Sequence, residues 1–270
     1  MSWKGTPSRL GLSTDAMVEA DSVVRRRIEG GVLCHTPTCA QTYWGHRIET
    51  DGPPWDEGVH AWLEHWREAH AGRVARAVLA WETEDAFTVP ELPAGVEVTR
   101  LLALSRVGAP DRESPQHEVV TLGPEALAAV RTMAGVVNGM SDPASRRYLL
   151  WYWDRAAAWL ASGRSARYGV LEGGEIASSC GLVWDGHVAR FQDVMTREGH
   201  RRRGFARSVL CAAMRARARV EPNTEFVIVV ETGNPAEELY RSLGFEPRSE
   251  SVVLTIKSPQ SPKPQPPRSG

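Results

Sequence analysis

The chain of 270 residues is short of several things at once, and each shortage removes a class of protein. Cysteine occurs only at Cys34, Cys39, Cys180 and Cys211, too few and too scattered for a disulfide framework, so reduced thiols are expected. No apolar run approaches the roughly 18 residues of a membrane span, and the N-terminal MSWKGTPSRLGLSTD lacks the apolar core of a secretory leader. These absences lead us to expect a cytoplasmic protein with no membrane partner. Nor does either charge dominate: 32 Lys and Arg against 33 Asp and Glu leave a net charge of -1, so any affinity for nucleic acid must come from a local patch.

What is present is the balance of a globular protein, 42% hydrophobic and 24% charged, long enough for two domains at roughly 100–200 residues each. Residues 1–13 and the tail 257–270 are rich in Pro, Ser, Gly and Lys, and are expected to be disordered. Between them, 14–107 reads as a small α/β domain. Its first helix is expected from caps at Ser13, Thr14 or Asp15 through Ile28, ended by Gly30 and Gly31, and a strand is expected over Thr42–Thr50. Val59, Trp62, Leu63 and Trp66 recur at helical spacing, and strands follow over 74–82 and 96–104. The polar GAPDRESPQ, 108–116, is the expected linker.

Residues 117–256 carry a fuller pattern. A strand over His117–Leu122 precedes a helix with Pro124 at its first position, and Ser141–Gly163 reads as a long capped helix. Three strands then follow across a Gly173-Gly174 turn and an Asp185-Gly186 turn, an antiparallel meander. After the meander comes HRRRGFARSVL, His200–Leu210, where three arginines abut a glycine at the start of an amphipathic helix. A helix start already carries about half a positive charge and amides without intrahelical partners. Adding Arg201, Arg202, Arg203 and Arg207 there is self-repulsive unless an anion joins them, and Gly204 lets a ligand approach the backbone. A solvated basic helix end is the plain alternative. A nucleic-acid patch is disfavoured because no aromatic residues interleave with the arginines.

The order strand, R-x-x-G-x-A (Arg201, Gly204, Ala206), helix, buried strand Glu225–Glu231 and AEELYRSLGF resembles the GNAT superfamily of N-acetyltransferases. The resemblance covers about His117–Ile256, and YWGH followed by PPW resembles a degenerate GNAT-like N-terminal half. It implies an α/β (α+β) fold, with a mixed, mostly antiparallel sheet flanked by helices and preceded by the smaller α/β domain. It also implies acetyl-CoA as cosubstrate, held by Val194, Met195 and Thr196 at a strand end and by Arg201, Arg202, Arg203, Gly204, Phe205, Ala206, Arg207 and Asn234. Tyr240 matches the tyrosine that protonates the departing thiolate. The general base is not legible: Arg190 stands where some relatives carry Glu, strand alternation would put Arg190, Gln192, Val194 and Thr196 on one face with Asp193 opposite, and Glu231 is the candidate base. The Asn often found three residues before Ala236 is replaced by Gly233, with Asn234 next, where its plain role is a helix cap.

The implied reaction is transfer of acetyl from acetyl-CoA to a primary amine of a small molecule or peptide; a CoA-binding sensor without catalysis is the alternative. No nucleic-acid partner is expected, and a homodimer is left open. Cys34 and Cys39 with His46 would suggest a metal, but two thiols at this spacing lack a second pair, so a loop without metal is expected. Trp62, Trp66, Trp151, Trp153 and Trp159 read as packing residues.

Overall fold

A computed structural model of the chain describes residues 9–257, except 43, 55–57, 71–75, 85–87, 90–91, 93 and 111–115. In chain order the elements are α1 (Leu10–Glu19), β1 (Val24–Ile28), β2 (Gly31–His35), β3 (Arg47–Thr50), α2 (Val59–His70), β4 (Arg76–Thr83), β5 (Val96–Val107), β6 (Val120–Thr121), α3 (Leu127–Val137) and α4 (Pro143–Ala161). They continue with β7 (Ser165–Glu172), β8 (Glu175–Asp185), β9 (Val188–Thr196), α5 (Phe205–Ala218), β10 (Glu225–Glu231), α6 (Ala236–Ser242) and β11 (Glu246–Lys257). Among the described residues no helix is long and apolar enough to cross a membrane.

The chain folds as two compact units whose segments alternate along the sequence: Met1–Asp21, Glu82–Asp85 and Leu101–Ser251 form one, and Ser22–Trp81, Ala86–Arg100 and Val252–Gly270 the other. A single division at 108–116 therefore does not hold. Such a cut would part β5 from β10, which pair antiparallel from Leu101↔Glu231 to Val107↔Glu225 within one unit.

Helix α1 differs from the sequence expectation at both ends. Leu10 and Leu12 are buried, so the helix begins inside the segment expected to be disordered, while residues 1–8 and 258–270 lie outside the described residues. Thr14 does not cap: its hydroxyl donates back to the Leu10 carbonyl at 2.7 Å. The cap comes from far along the chain, because Glu82 accepts from the Gly11 and Leu12 amides at 2.7 and 2.9 Å. The helix ends at Glu19, and VRRRI is strand β1, which turns through Glu29 and Gly30 (φ 67) to pair with β2. The strand expected over Thr42–Thr50 starts only at Arg47, since Trp44 and Gly45 form a turn.

In the second unit the strand order is β1-β2-β3-β4-β11, with β3 and β4 parallel and α2 between them in sequence. Trp62, Leu63 and Trp66 of α2 pack with Ile48, Leu79 and Trp81. Buried Glu49 would be pushed up by desolvation, but Arg47 and Arg25 outweigh that and hold its carboxyl below the usual range.

In the first unit the order is β11-β5-β10-β9-β8-β7-β6. One core gathers α5 with Phe191, Phe226 and Phe245, and the other gathers α3 and α4 with Ile176, Val183 and Val188. Asp142 caps α4, accepting from Ala144 and Ser145 at 2.9 and 3.1 Å. The β7–β8 turn has Gly173 and Gly174 at φ 60 and 82, conformations that glycine adopts without cost. The next turn is Gly186-His187, one residue later than expected, because Asp185 pairs with Val188.

Strand β9 is irregular in two places. Its parallel ladder with β10 spans only Val188–Arg190 against Glu225–Val227, after which the strands part. Its ladder with β8 slips one residue between Gly181↔Gln192 and Ser179↔Met195, and Asp193 takes φ 48, the mark of a bulge. The bulge overturns the expected alternation: Val194 packs with Phe191 and Ala189, while Met195 packs with Val188 on the opposite face. Asp193 turns toward α4, accepting from Tyr152 and Arg167 at 2.8 Å each.

Candidate functional site

Where β9 and β10 part, a cleft of about 610 Å³ opens. One wall is the end of β9, Val194, Met195 and Thr196; the other is the start of α6, with Asn234, Leu239 and Tyr240; its floor is the entry to α5. Separated parallel strands leave main-chain groups with no ladder partner on the side where they diverge, so this wall offers backbone hydrogen bonds to an extended ligand.

The α5 entry is polar in a directed way. Helix geometry leaves the Phe205 and Ala206 amides without intrahelical acceptors, and Gly204 at the N-cap has no side chain to serve them. Gly204 has φ 83, a left-handed conformation that strains any residue with a Cβ; the atom such a Cβ would meet is the flexible end of Gln116, which can move aside, so it is the backbone that calls for glycine. Arg202 is itself left-handed at φ 60, one of two such non-glycine residues described. Strain of this kind persists only where the surroundings over-determine it.

The structure brings together Val194, Met195, Thr196, Arg201, Arg202, Gly204, Phe205, Ala206, Arg207, Asn234 and Tyr240 around one cleft. Two residues expected with them lie elsewhere. Arg203 is engaged by both carboxylate oxygens of Glu172 and lies 4.9 Å from the Phe205 ring centroid, so its charge is already matched. Glu231 is exposed at the end of β10 and does not line the cleft, because the strand turns away through Thr232 and Gly233 (φ 81) before α6. Arg190 is buried and anchors α1, donating to Thr14 and Asp15 at 2.8 and 3.1 Å. Asn234 also has its plain role, accepting from the Ala236 amide at 2.9 Å.

Residues not expected to hold the cofactor also line the cleft: Val137, His200, Pro235, Ala236 and Leu239. His200 sat in the arginine stretch itself; its Nε2 lies 2.8 Å from Glu172. Tyr240 is 6% exposed, and burial pushes its phenol up to about 12, with Cys180 nearby adding to the rise. A phenol so raised keeps its proton at neutral pH.

Residues 167–254 match the family model described as FR47-like protein. No curated protein matches the sequence. Among solved structures, a conserved protein of unknown function from Staphylococcus epidermidis is similar over 94% of this chain and 100% of its own, with TM-score 0.71 at 9% identity. A GCN5-related N-acetyltransferase from Kribbella flavida is similar over 94% and 96%, with TM-score 0.67 at 16% identity. A tandem GNAT protein from the clavulanic acid biosynthesis pathway, solved without acetyl-CoA, is similar over 92% and 89%, with TM-score 0.57 at 14% identity.

Proposed function

We propose that the chain is an N-acyltransferase that moves an acetyl group from acetyl-CoA to a primary amine of a small molecule or peptide by direct attack. The chain has the fold of GNAT acetyltransferases, with a mixed, mostly antiparallel sheet flanked by helices, and the likeness spans nearly the whole sequence. One observation carries the reading to the site: the parted end of β9, the α5 amides and Tyr240 all face one cleft.

In this reading the β9 backbone at Val194–Thr196 holds the pantetheine arm. The Phe205 and Ala206 amides and the Arg201, Arg202 and Arg207 side chains hold the phosphates, a use to which helix N-termini are suited. Thioester and amine then sit side by side, and positioning supplies much of the rate. A β9 amide would polarise the thioester carbonyl. Tyr240 serves the leaving sulfur, but passing a proton from a phenol at about 12 to a thiolate near 8.5 is uphill by about 5 kcal/mol. Its contribution is therefore a hydrogen bond to the developing thiolate rather than complete proton transfer.

The second reading, a CoA-binding sensor, gains support from the cleft's composition: among its lining residues there is no carboxylate, and His200 is the sole titratable base besides Tyr240. Calorimetry with CoA and a free-thiol assay with acetyl-CoA and a panel of amines separate the two. We expect micromolar binding and thiol release with at least one amine. Binding without turnover selects the sensor, and no binding removes both.

A further inference from the structure

In the second unit three histidines meet far along the sequence from one another. His35 ends β2, His46 directly precedes β3, and His70 is the last residue of α2. The β2–β3 register, Gly31↔Thr50 to Leu33↔Ile48, brings His35 opposite His46 when carried two residues further. The helix is held to the same place by Trp66, whose indole donates to the His46 carbonyl at 2.7 Å and whose ring lies 5.1 Å from that of His70. One ligand nitrogen from each histidine lies within 4.8 Å of the other two.

The hydrogen bonding decides what these nitrogens can do. His46 Nε2 lies 3.0 Å from the Cys39 carbonyl, which can only accept, so Nε2 carries the proton and Nδ1 presents its lone pair. That Nδ1 faces His35 Nδ1 at 3.1 Å. Two nitrogens bound to one tetrahedral Zn²⁺ at about 2.0–2.1 Å stand about 3.3–3.4 Å apart. The three ring centroids lie 4.9, 5.7 and 5.3 Å from one another, close to the roughly 5 Å of three imidazoles around such an ion. A ligating histidine whose other nitrogen donates to a backbone carbonyl is the arrangement that fixes tautomer and ring orientation at metal centres.

We propose that His35, His46 and His70 form a binding site for a divalent transition metal of the zinc class. Imidazole donors favour zinc, copper, nickel and iron, whereas magnesium and calcium take oxygen, and among the described residues no carboxylate belongs to this cluster. Three protein donors leave a fourth position for water, and His46 and His70 are each 1% exposed, so the ion would tie β2, the start of β3 and the end of α2 together. The ligands are histidines, not the Cys34 and Cys39 thiols that the sequence brought to notice. Cys34 instead lies 3.6 Å from Glu49, and Cys39 3.7 Å from Gln41. The site is independent of the acyl-transfer reading.

The test uses the full-length, tag-free protein, stripped with a chelator and titrated with Zn²⁺ and then Co²⁺ alone. We expect one ion per chain, a higher unfolding temperature with Zn²⁺, and the visible absorption of four-coordinate Co²⁺. His35→Gln, at the most accessible of the three, and His70→Gln should each weaken affinity at least about 100-fold. Exposed His65→Gln and buried Cys39→Ser should not. A folded wild-type chain that takes up neither ion overturns the proposal, as does uptake that survives both histidine changes or is lost in Cys39→Ser. Should His70→Gln fail to fold, His35→Gln alone decides.

Discussion

Tyr240 shows how one side chain's surroundings set its chemical role. It lies in the apolar core with Phe245 and Leu243, yet it also lines the cleft, so the residue borders the ligand space while burial desolvates its phenol. Desolvation penalises the phenolate, and the proximity of Cys180, itself pushed up to about 12 by burial, does nothing to relieve it. Tyr240→Phe keeps the ring and removes only the donor. We expect acetyl transfer to slow about 10- to 1000-fold, at or below the usual span for acid catalysis, with CoA affinity unchanged. The ratio of wild-type to variant rates should stay flat from about pH 6 to 9, because a phenol that titrates near 12 does not change state in that window. Steady-state kinetics across that range, with calorimetry for CoA, checks both points, and a variant as fast as wild type would remove Tyr240 from the chemistry.

At the scale of the element, the start of α1 is the clearest case of a cap supplied from a distance. Glu82 is buried, and desolvation, its largest influence, raises its carboxyl above the ordinary value despite hydrogen bonds from Ser249, Leu12 and Gly11 that lower it. A carboxyl raised in the folded state binds its proton more tightly there than in the unfolded chain. Its contribution to stability is therefore fullest below the unfolded value near 4.3 and declines as pH rises through the folded value. Glu82→Gln removes the charge and should abolish this pH dependence, but it keeps one accepting oxygen and sets an NH2 donor against one of the two amides, so it should cost stability at pH 7, though less than removal of the whole side-chain head. Glu82→Ala strands two amides and should cost about 1–3 kcal/mol. Urea melts at pH 5 and pH 7 distinguish these outcomes. The same contact explains why the sequence misplaced this helix: Ser13, Thr14 and Asp15 satisfy the local rule for a cap, and nothing local indicates a carboxylate 70 residues on. The β7–β8–β9 meander, the presence of a cap at the start of α4 and the α5 entry were legible because turn glycines, a Ser-Asp pair and an apolar helical stripe act within a few residues. The bulge at Asp193 was not legible: its cause lies in partners on α4 and β7, Tyr152 and Arg167, and strict alternation then assigns Val194 to the wrong face.

For the whole molecule the relevant quantity is where the charge sits. The sum is -1, yet Arg201, Arg202 and Arg207 share one cleft with the α5 amides, while Glu172 neutralises Arg203 and adjoins His200 beside it. Three arginines on a polymer would release counterions, with a salt slope near −0.7 per phosphate contacted on a single strand, roughly a hundredfold loss of affinity per tenfold rise in salt. CoA has few charges and no condensed counterion atmosphere, and in this reading much of its binding comes from the pantetheine arm against the β9 backbone and the apolar wall of Leu239 and Val194. Screening still shortens the reach of the arginines, from about 30 Å at 0.01 M to about 3 Å at 1 M, so a shallow slope remains. We therefore expect CoA affinity to fall less than about tenfold over a tenfold rise in salt. Adenosine 3′,5′-bisphosphate, which lacks the arm, should bind more weakly and lose proportionally more, and a single-stranded oligonucleotide should not compete at moderate salt. Competition titrations at two salt concentrations check this. An oligonucleotide that displaces CoA, with the two sharing one steep slope, would mean that the cleft reads phosphate alone and that the acyl-transfer reading has the wrong ligand.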